Sequence, residues 1–181
     1  MSGSGTRYVA LFRGINVGKA KRIAMADLRA LLVRLGYTDV RTLLNSGNAI
    51  FTAQGEPAAL ALRIRAEVAM NLGVDALVIV KSAADIASIL RGNALESVAT
   101  DHSRLLVAMA NEPGAIAALR KHSKDISGDE RVHVNRHAAY LWCAQGILES
   151  KAAEILLGQL KDRGTTRNWA TLNRIHALMV E

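Results

Sequence analysis

The residues with the clearest chemical potential sit near the start of the chain. Arg13, Lys19, Lys21 and Arg22 surround Gly14 and Gly18 in the stretch Arg13-Gly14-Ile15-Asn16-Val17-Gly18-Lys19-Ala20-Lys21-Arg22. Glycine lets backbone N–H groups converge, and the cations supply a positive field, which together suit an anion such as a phosphate or a carboxylate. The opposing account is a turn made by the glycines with solvated charges around it. The stretch is not a Walker loop: Gly14 and Gly18 are too close together, and Ala20 stands where a hydroxyl residue should follow Lys19.

Other polar stretches invite the same question. Ser46-Gly47-Asn48 offers a hydroxyl on a turn, but it lacks the G-x-S-x-G setting of a serine nucleophile, and a tight hairpin explains it without chemistry. Thr165-Thr166-Arg167-Asn168-Trp169 holds a helix-capping residue, Thr166 or Asn168, ahead of a packed Trp169. That account leaves Arg167 spare for a carboxylate or a ligand. Of the histidines, His133 and His137 are not at metal-ligand spacing, so no metal is expected. Cys143, the single cysteine, lies in an apolar run and reads as a small buried hydrophobe; it cannot form an intrachain disulfide. No cofactor motif is present. Tyr8, Phe12 and Phe51 are spaced on strands as a base-stacking platform would be, yet a chain with so few aromatics needs them in its core, and they are assigned to it.

These residues need elements to hold them. The 181 residues are 50% hydrophobic and only 4% aromatic, enough for a core of Ala, Leu, Val and Ile that buries roughly 70% of the unfolded surface. Tyr8–Phe12 is a strand. Met25, Leu28, Leu31, Leu32 and Leu35 form a helical stripe closed by Gly36. Val40–Leu44 and Asn48–Thr52 form a hairpin. Pro57 opens a helix with Leu60, Ile64, Val68 and Leu72 inward and Gly73 at its end, and Ala76–Val80 is a covered strand. Strand, helix, strand, strand, helix, strand is the ferredoxin-like order. A further helix starts near Ser82 and ends at Gly92. The order then recurs, with a strand at Arg104–Ala110, a helix from Pro113, a hairpin of Arg131–Asn135 with Tyr140–Cys143, and helices at Glu149–Leu160 and Trp169–Met179.

The expected architecture is therefore α+β: two ferredoxin-like (βαββαβ-type) halves in tandem, mostly antiparallel, with helices on one face. The boundaries are 1–92 for the first half with an extra helix, 93–103 for a linker, and 104–181 for the second half with C-terminal helices.

Ala10-Leu11-Phe12-Arg13-Gly14-Ile15-Asn16-Val17-Gly18, Asp39-Val40-Arg41-Thr42 running into Ser46-Gly47-Asn48, and Glu149-Ser150-Lys151 with Thr165-Thr166-Arg167-Asn168-Trp169 together resemble a family of small bacterial proteins, domain-of-unknown-function family 1697. The resemblance runs nearly the whole length. It implies two ferredoxin-like halves and carries no activity, cofactor or catalytic residue. Lys19-Ala20 stands where glycine is common, and Ala170 where asparagine is common.

The formal net charge of +7 and the sequence pI near 10.0 favour phosphate-bearing or nucleic-acid partners. No apolar run reaches membrane-spanning length, and the start Met1-Ser2-Gly3-Ser4-Gly5 lacks the apolar core of a signal peptide, so a cytoplasmic protein without a membrane partner is expected. The leading expectation is binding of an anionic ligand, a phosphate-containing small molecule or nucleic acid, through Arg13, Gly14, Asn16, Lys19, Ser46, Asn48, Arg167 and Asn168, with charge added by Lys21, Arg22 and Lys151. The alternatives are a small-molecule enzyme with a cleft between the halves, for which no acid–base or nucleophile–base pair stands out, and a structural module forming a homodimer.

Overall fold

The structure, a computed structural model, describes residues 5–181; the expectation about the first residues, Met1 to Ser4, lies outside them. The elements run β1 (Thr6–Phe12), α1 (Met25–Arg34), β2 (Thr38–Leu43), β3 (Asn48–Ala53), α2 (Pro57–Leu72), β4 (Val78–Ser82), α3 (Ala83–Arg91), β5 (Leu105–Ala110), α4 (Pro113–Ala117), a 3-10 stretch (Ala118–Asp125), β6 (Arg131–Val134), β7 (Ala139–Trp142), α5 (Lys151–Leu160), β8 (Gly164–Asn168) and α6 (Trp169–Val180).

The strands form two four-stranded sheets of order β2-β3-β1-β4 and β6-β7-β5-β8. Every pairing is antiparallel. Both orders are ferredoxin-like, so the fold is the expected α+β pair of tandem halves. The chain divides into two compact units: one runs to Ala84 and takes in Ile175–Glu181, the other is Asp85–Arg174. Residues 93–103, expected as a linker, fall within the second unit.

In the first unit the apolar stripes find one core. Tyr8, Ala10 and Phe12 of β1 pack with Phe51, with Leu28, Leu31 and Leu32 of α1, and with Leu60, Ile64 and Val68 of α2. Tyr8 and Phe51 lie 5.9 Å apart by ring centroid, so these aromatics build the core. α1 ends as its glycine predicts: Gly36 has φ +87°, Gly36 N–H donates to Val33 O at 3.0 Å, and Tyr37 N–H donates to Leu32 O at 3.2 Å. β4 lies two residues later than its apolar run suggests. Its register against β1, from Phe12↔Val78 to Tyr8↔Ser82, draws Lys81 and Ser82 into the sheet. The chain's end returns to this unit, where Arg7 Nη2 donates to Leu178 O at 3.4 Å and Arg41 pairs with Glu181.

In the second unit Leu106, Ala108, Ile116, Leu119, Leu141, Leu156 and Leu160 form the core, with Cys143 among them. Ser150 caps α5 by accepting from Ala153 N–H at 3.0 Å, and Glu130 Oε2 accepts from Ala152 N–H at the same distance. Gly164–Asn168, read from the sequence as a capping stretch alone, is a full strand. Val107↔Arg167 and Met109↔Thr165 pair it to β5. Its polar residues hide the period-two signal, while two β-branched threonines favour the extended backbone.

Candidate functional site

The basic loop leaves β1 at Phe12 and returns at Ile23, which is buried. Between them Gly14, Asn16, Gly18 and Lys21 all take positive φ, at +66°, +56°, +63° and +50°. Glycine adopts this region freely; Asn tolerates it, and Lys does so at a cost of about 1 kcal/mol. What holds the loop in that shape is Asn16. Its Nδ2 donates to Ile23 O and to Asn45 O, both at 2.8 Å, and its Oδ1 accepts from Ile23 N–H at 2.9 Å. Its own N–H donates to Lys21 O at 3.0 Å. Asn16 thus closes the loop on itself and fastens it to the β2–β3 turn.

That turn meets the loop from the other side. Gly47 O accepts from Phe12 N–H at 2.9 Å. Asn48, fully buried, donates from Nδ2 to Leu43 O at 2.8 Å and to Ser46 Oγ at 3.3 Å, holding the hairpin. The first two sequence motifs therefore come together. Arg13 is half-buried and donates its backbone N–H to Leu77 O at 3.0 Å, while Gly14, Lys19, Lys21, Arg22 and Ser46 are exposed. Asp75 is close by in charge terms: Arg65 beside it, and to a lesser extent Lys21, hold its carboxyl below the usual carboxylate range.

Where the loop enters α1 there is a hollow of about 280 Å³, lined by Asn16, Arg22, Ile23, Ala24, Met25 and Asn45. Ala24, at the cap position of α1, has no side chain with which to satisfy the first-turn amides. The sequence reading misses Ala24, Met25 and Asn45; the available signal is the missing Ser, Thr, Asp or Asn ahead of Met25.

Arg167 and Asn168 lie in the second unit. Asn168 Oδ1 accepts from Thr171 N–H at 2.8 Å and so caps α6. Arg167 is 9% exposed and donates from Nη1 to Thr166 O at 2.7 Å and to Thr165 Oγ1 at 3.1 Å. Burial pushes its guanidinium down to about 10, which leaves it charged at neutral pH. Lys151 is exposed at the start of α5. Burial also raises the Cys143 thiol. Among the described residues no cluster of His, Cys, Asp and Glu is placed to hold a metal ion, and no helix is long and apolar enough to cross a membrane.

The structure is similar to that of conserved bacterial protein SP0830 from Streptococcus pneumoniae, with a TM-score of 0.75 over 96% of this chain and 98% of that one. The two are 22% identical, so the likeness speaks for the fold alone. No protein of curated function matches the chain. The family model described as "protein of unknown function (DUF1697)" matches residues 6–140, across the basic loop, the β2–β3 turn and the sheet that carries them, and the chain belongs to that family.

Proposed function

We propose that the loop from Arg13 to Ile23 binds an anionic, phosphate-bearing ligand, either a small molecule or a nucleic acid. The observation that carries this reading is the hollow at the start of α1. Arg22 forms part of its wall, Lys19 and Lys21 are exposed on the same loop, and α1 begins without a side-chain cap. A helix start attracts negative charge, and three cations on one hydrogen-bonded loop add to that field. Arg13, Gly14, Asn16, Lys19, Ser46 and Asn48 all belong to this loop or to the turn it is fastened to. Asn16 and Asn48 hold the geometry; Lys19, Lys21 and Arg22 supply the charge. Arg167 and Asn168 have hydrogen-bonding roles within the second unit.

The test is a titration with inorganic phosphate, a nucleoside triphosphate, and single-stranded and duplex oligonucleotides at about 50 and about 200 mM salt. Binding is expected, and it weakens in the Lys19→Ala/Arg22→Ala double variant. A nucleic-acid ligand shows a steep log–log salt slope, close to one unit per phosphate contacted, whereas a small ligand shows a shallow one. Absence of binding by every probe, or a double variant that binds as well as the wild type, overturns the proposal.

A further inference from the structure

A second hollow, of about 360 Å³, opens in the first unit at the C-terminal end of α1, with Leu35, Tyr37, Thr38, Thr52, Gln54 and Arg63 among its lining. Its volume is at the small end of the range for ligand sites. Tyr37 is 5% exposed, and its ring stacks on Phe51 with centroids 4.8 Å apart. Its hydroxyl is buried and has no hydrogen-bond partner. Tyr8, on the same core, shows the usual solution: its hydroxyl donates to Gly55 O at 2.6 Å. A buried donor without a partner is costly, so an orphan hydroxyl on a residue that lines a hollow calls for an acceptor, which reaches it once the Arg63 side chain over the ring moves aside.

Arg63 supplies the other half. Its guanidinium carbon lies 5.7 Å from the Tyr37 ring centroid, and its hydrogen bond to Leu35 O is long, at 3.4 Å. Among the described residues it enters no ion pair. Glu67, one helical turn along α2, is engaged by Asn71 at 3.0 Å. Burial raises the Tyr37 hydroxyl above its ordinary value; the Arg63 charge and the approach of its N–H groups toward the hydroxyl, short of full hydrogen-bond geometry, oppose this, and the Glu67 charge adds to the rise.

We propose that this hollow binds a small monocarboxylate with a short apolar body. The carboxylate accepts hydrogen bonds from the N–H groups of Arg63, whose planar fork suits it, and one from the Tyr37 hydroxyl. Arg63 is exposed and weakly held, so it can swing from the ring to the incoming oxygens. Leu35 and the stem of Arg63 pack against the apolar body. One cation and one neutral donor match a single negative charge. A dianionic phosphate is better served by the cations around Arg22.

The experiment is an amide chemical-shift titration of the full chain with acetate and benzoate, and with inorganic phosphate as comparator. Benzoate is expected to shift Gly36, Thr38, Thr52 and Gln54 below about 10 mM, a modest affinity by any scale. Tyr37→Phe keeps the ring stack, raises the ligand-free Tm by removing an unpaired hydroxyl, and weakens benzoate about tenfold. Arg63→Gln weakens it by at least as much. No shift of those amides, Tyr37→Phe binding benzoate as well as the wild type, or phosphate binding there as tightly as benzoate each overturns the proposal.

Discussion

Gly47 is the point where two distant stretches of sequence touch, and its replacement by alanine measures what that contact is worth. Gly47 has φ +88°, and a Cβ built on it would lie 2.6 Å from Ile15 Cδ1 and 2.8 Å from Phe12 Cβ. Phe12 is 0% and Ile15 1% exposed, so neither can retreat into solvent. Gly47→Ala therefore carries two costs. The left-handed backbone costs an L-residue about 1–2 kcal/mol. Overfilling a packed core adds about 1–3 kcal/mol. The sum is about 2–5 kcal/mol, a large share of a typical domain's stability. Gly14→Ala is the control: its φ is +66°, yet nothing lies within 4 Å of the added Cβ, so only the backbone term remains. Urea unfolding followed by far-UV circular dichroism separates the two. With a slope of about 2 kcal/mol per molar, Gly47→Ala lowers the midpoint by about 1–2.5 M and Gly14→Ala by about 0.5–1 M. Equal losses would remove the steric argument. A Gly47→Ala midpoint within about 0.2 M of the wild type would remove both terms.

Two further outcomes follow from the same geometry. Asn16→Ala deletes the donors to Ile23 O and Asn45 O and the acceptor for Ile23 N–H; it is expected to destabilise by about 2 kcal/mol and to weaken phosphate binding through the loosened loop, read by urea unfolding and by phosphate titration. Cys143 is buried and its thiol raised, so Ellman's reagent is expected to titrate it slowly in the folded protein and as one thiol after unfolding. Because the folded thiol holds its proton above the unfolded value, its contribution to stability is complete below the ordinary thiol pKa of about 8.5 and is lost as pH rises beyond it; a Cys143→Ala variant loses that part of the alkaline slope.

The sequence was most legible where one force dominates. The continuous apolar run Ala76–Val80 located β4 to within two residues, and helical stripes ended by Gly36 and Gly73 located α1 and α2, because burial dominates those elements. β8 was not legible: Thr165, Thr166, Arg167 and Asn168 have no apolar alternation, and only the register against β5 makes them a strand. Asn16 was legible as important but not in its role. An Asn between glycines reads equally as a ligand contact or as a residue tolerating positive φ while bonding its own loop, and only the positions of Ile23 O and Asn45 O decide. The Tyr37–Arg63 hollow had no local signature, since it depends on Tyr37 stacking on Phe51 across the core.

The basic loop now divides into residues with structural duties and residues without them. Ile15 is core, Asn16 is the clamp, Ile23 is core, and Gly47 and Asn48 shape the turn that the clamp grips. Folding accounts for these even if the protein binds nothing. It accounts for the Lys21 carbonyl, which takes the Asn16 N–H, but not for a lysine side chain at positive φ, or for exposed Lys19 and Arg22 on the same loop. Like charges on a short loop repel one another, and a strained lysine costs free energy that a glycine would spare. In the proposed reading, an anion seated among those cations offsets their repulsion, and the strained backbone serves to hold the Lys21 charge there. If Lys21→Gly stabilises the protein and leaves phosphate affinity unchanged, the strain has no such purpose, and the case for the loop as a binding site is reduced to its charge.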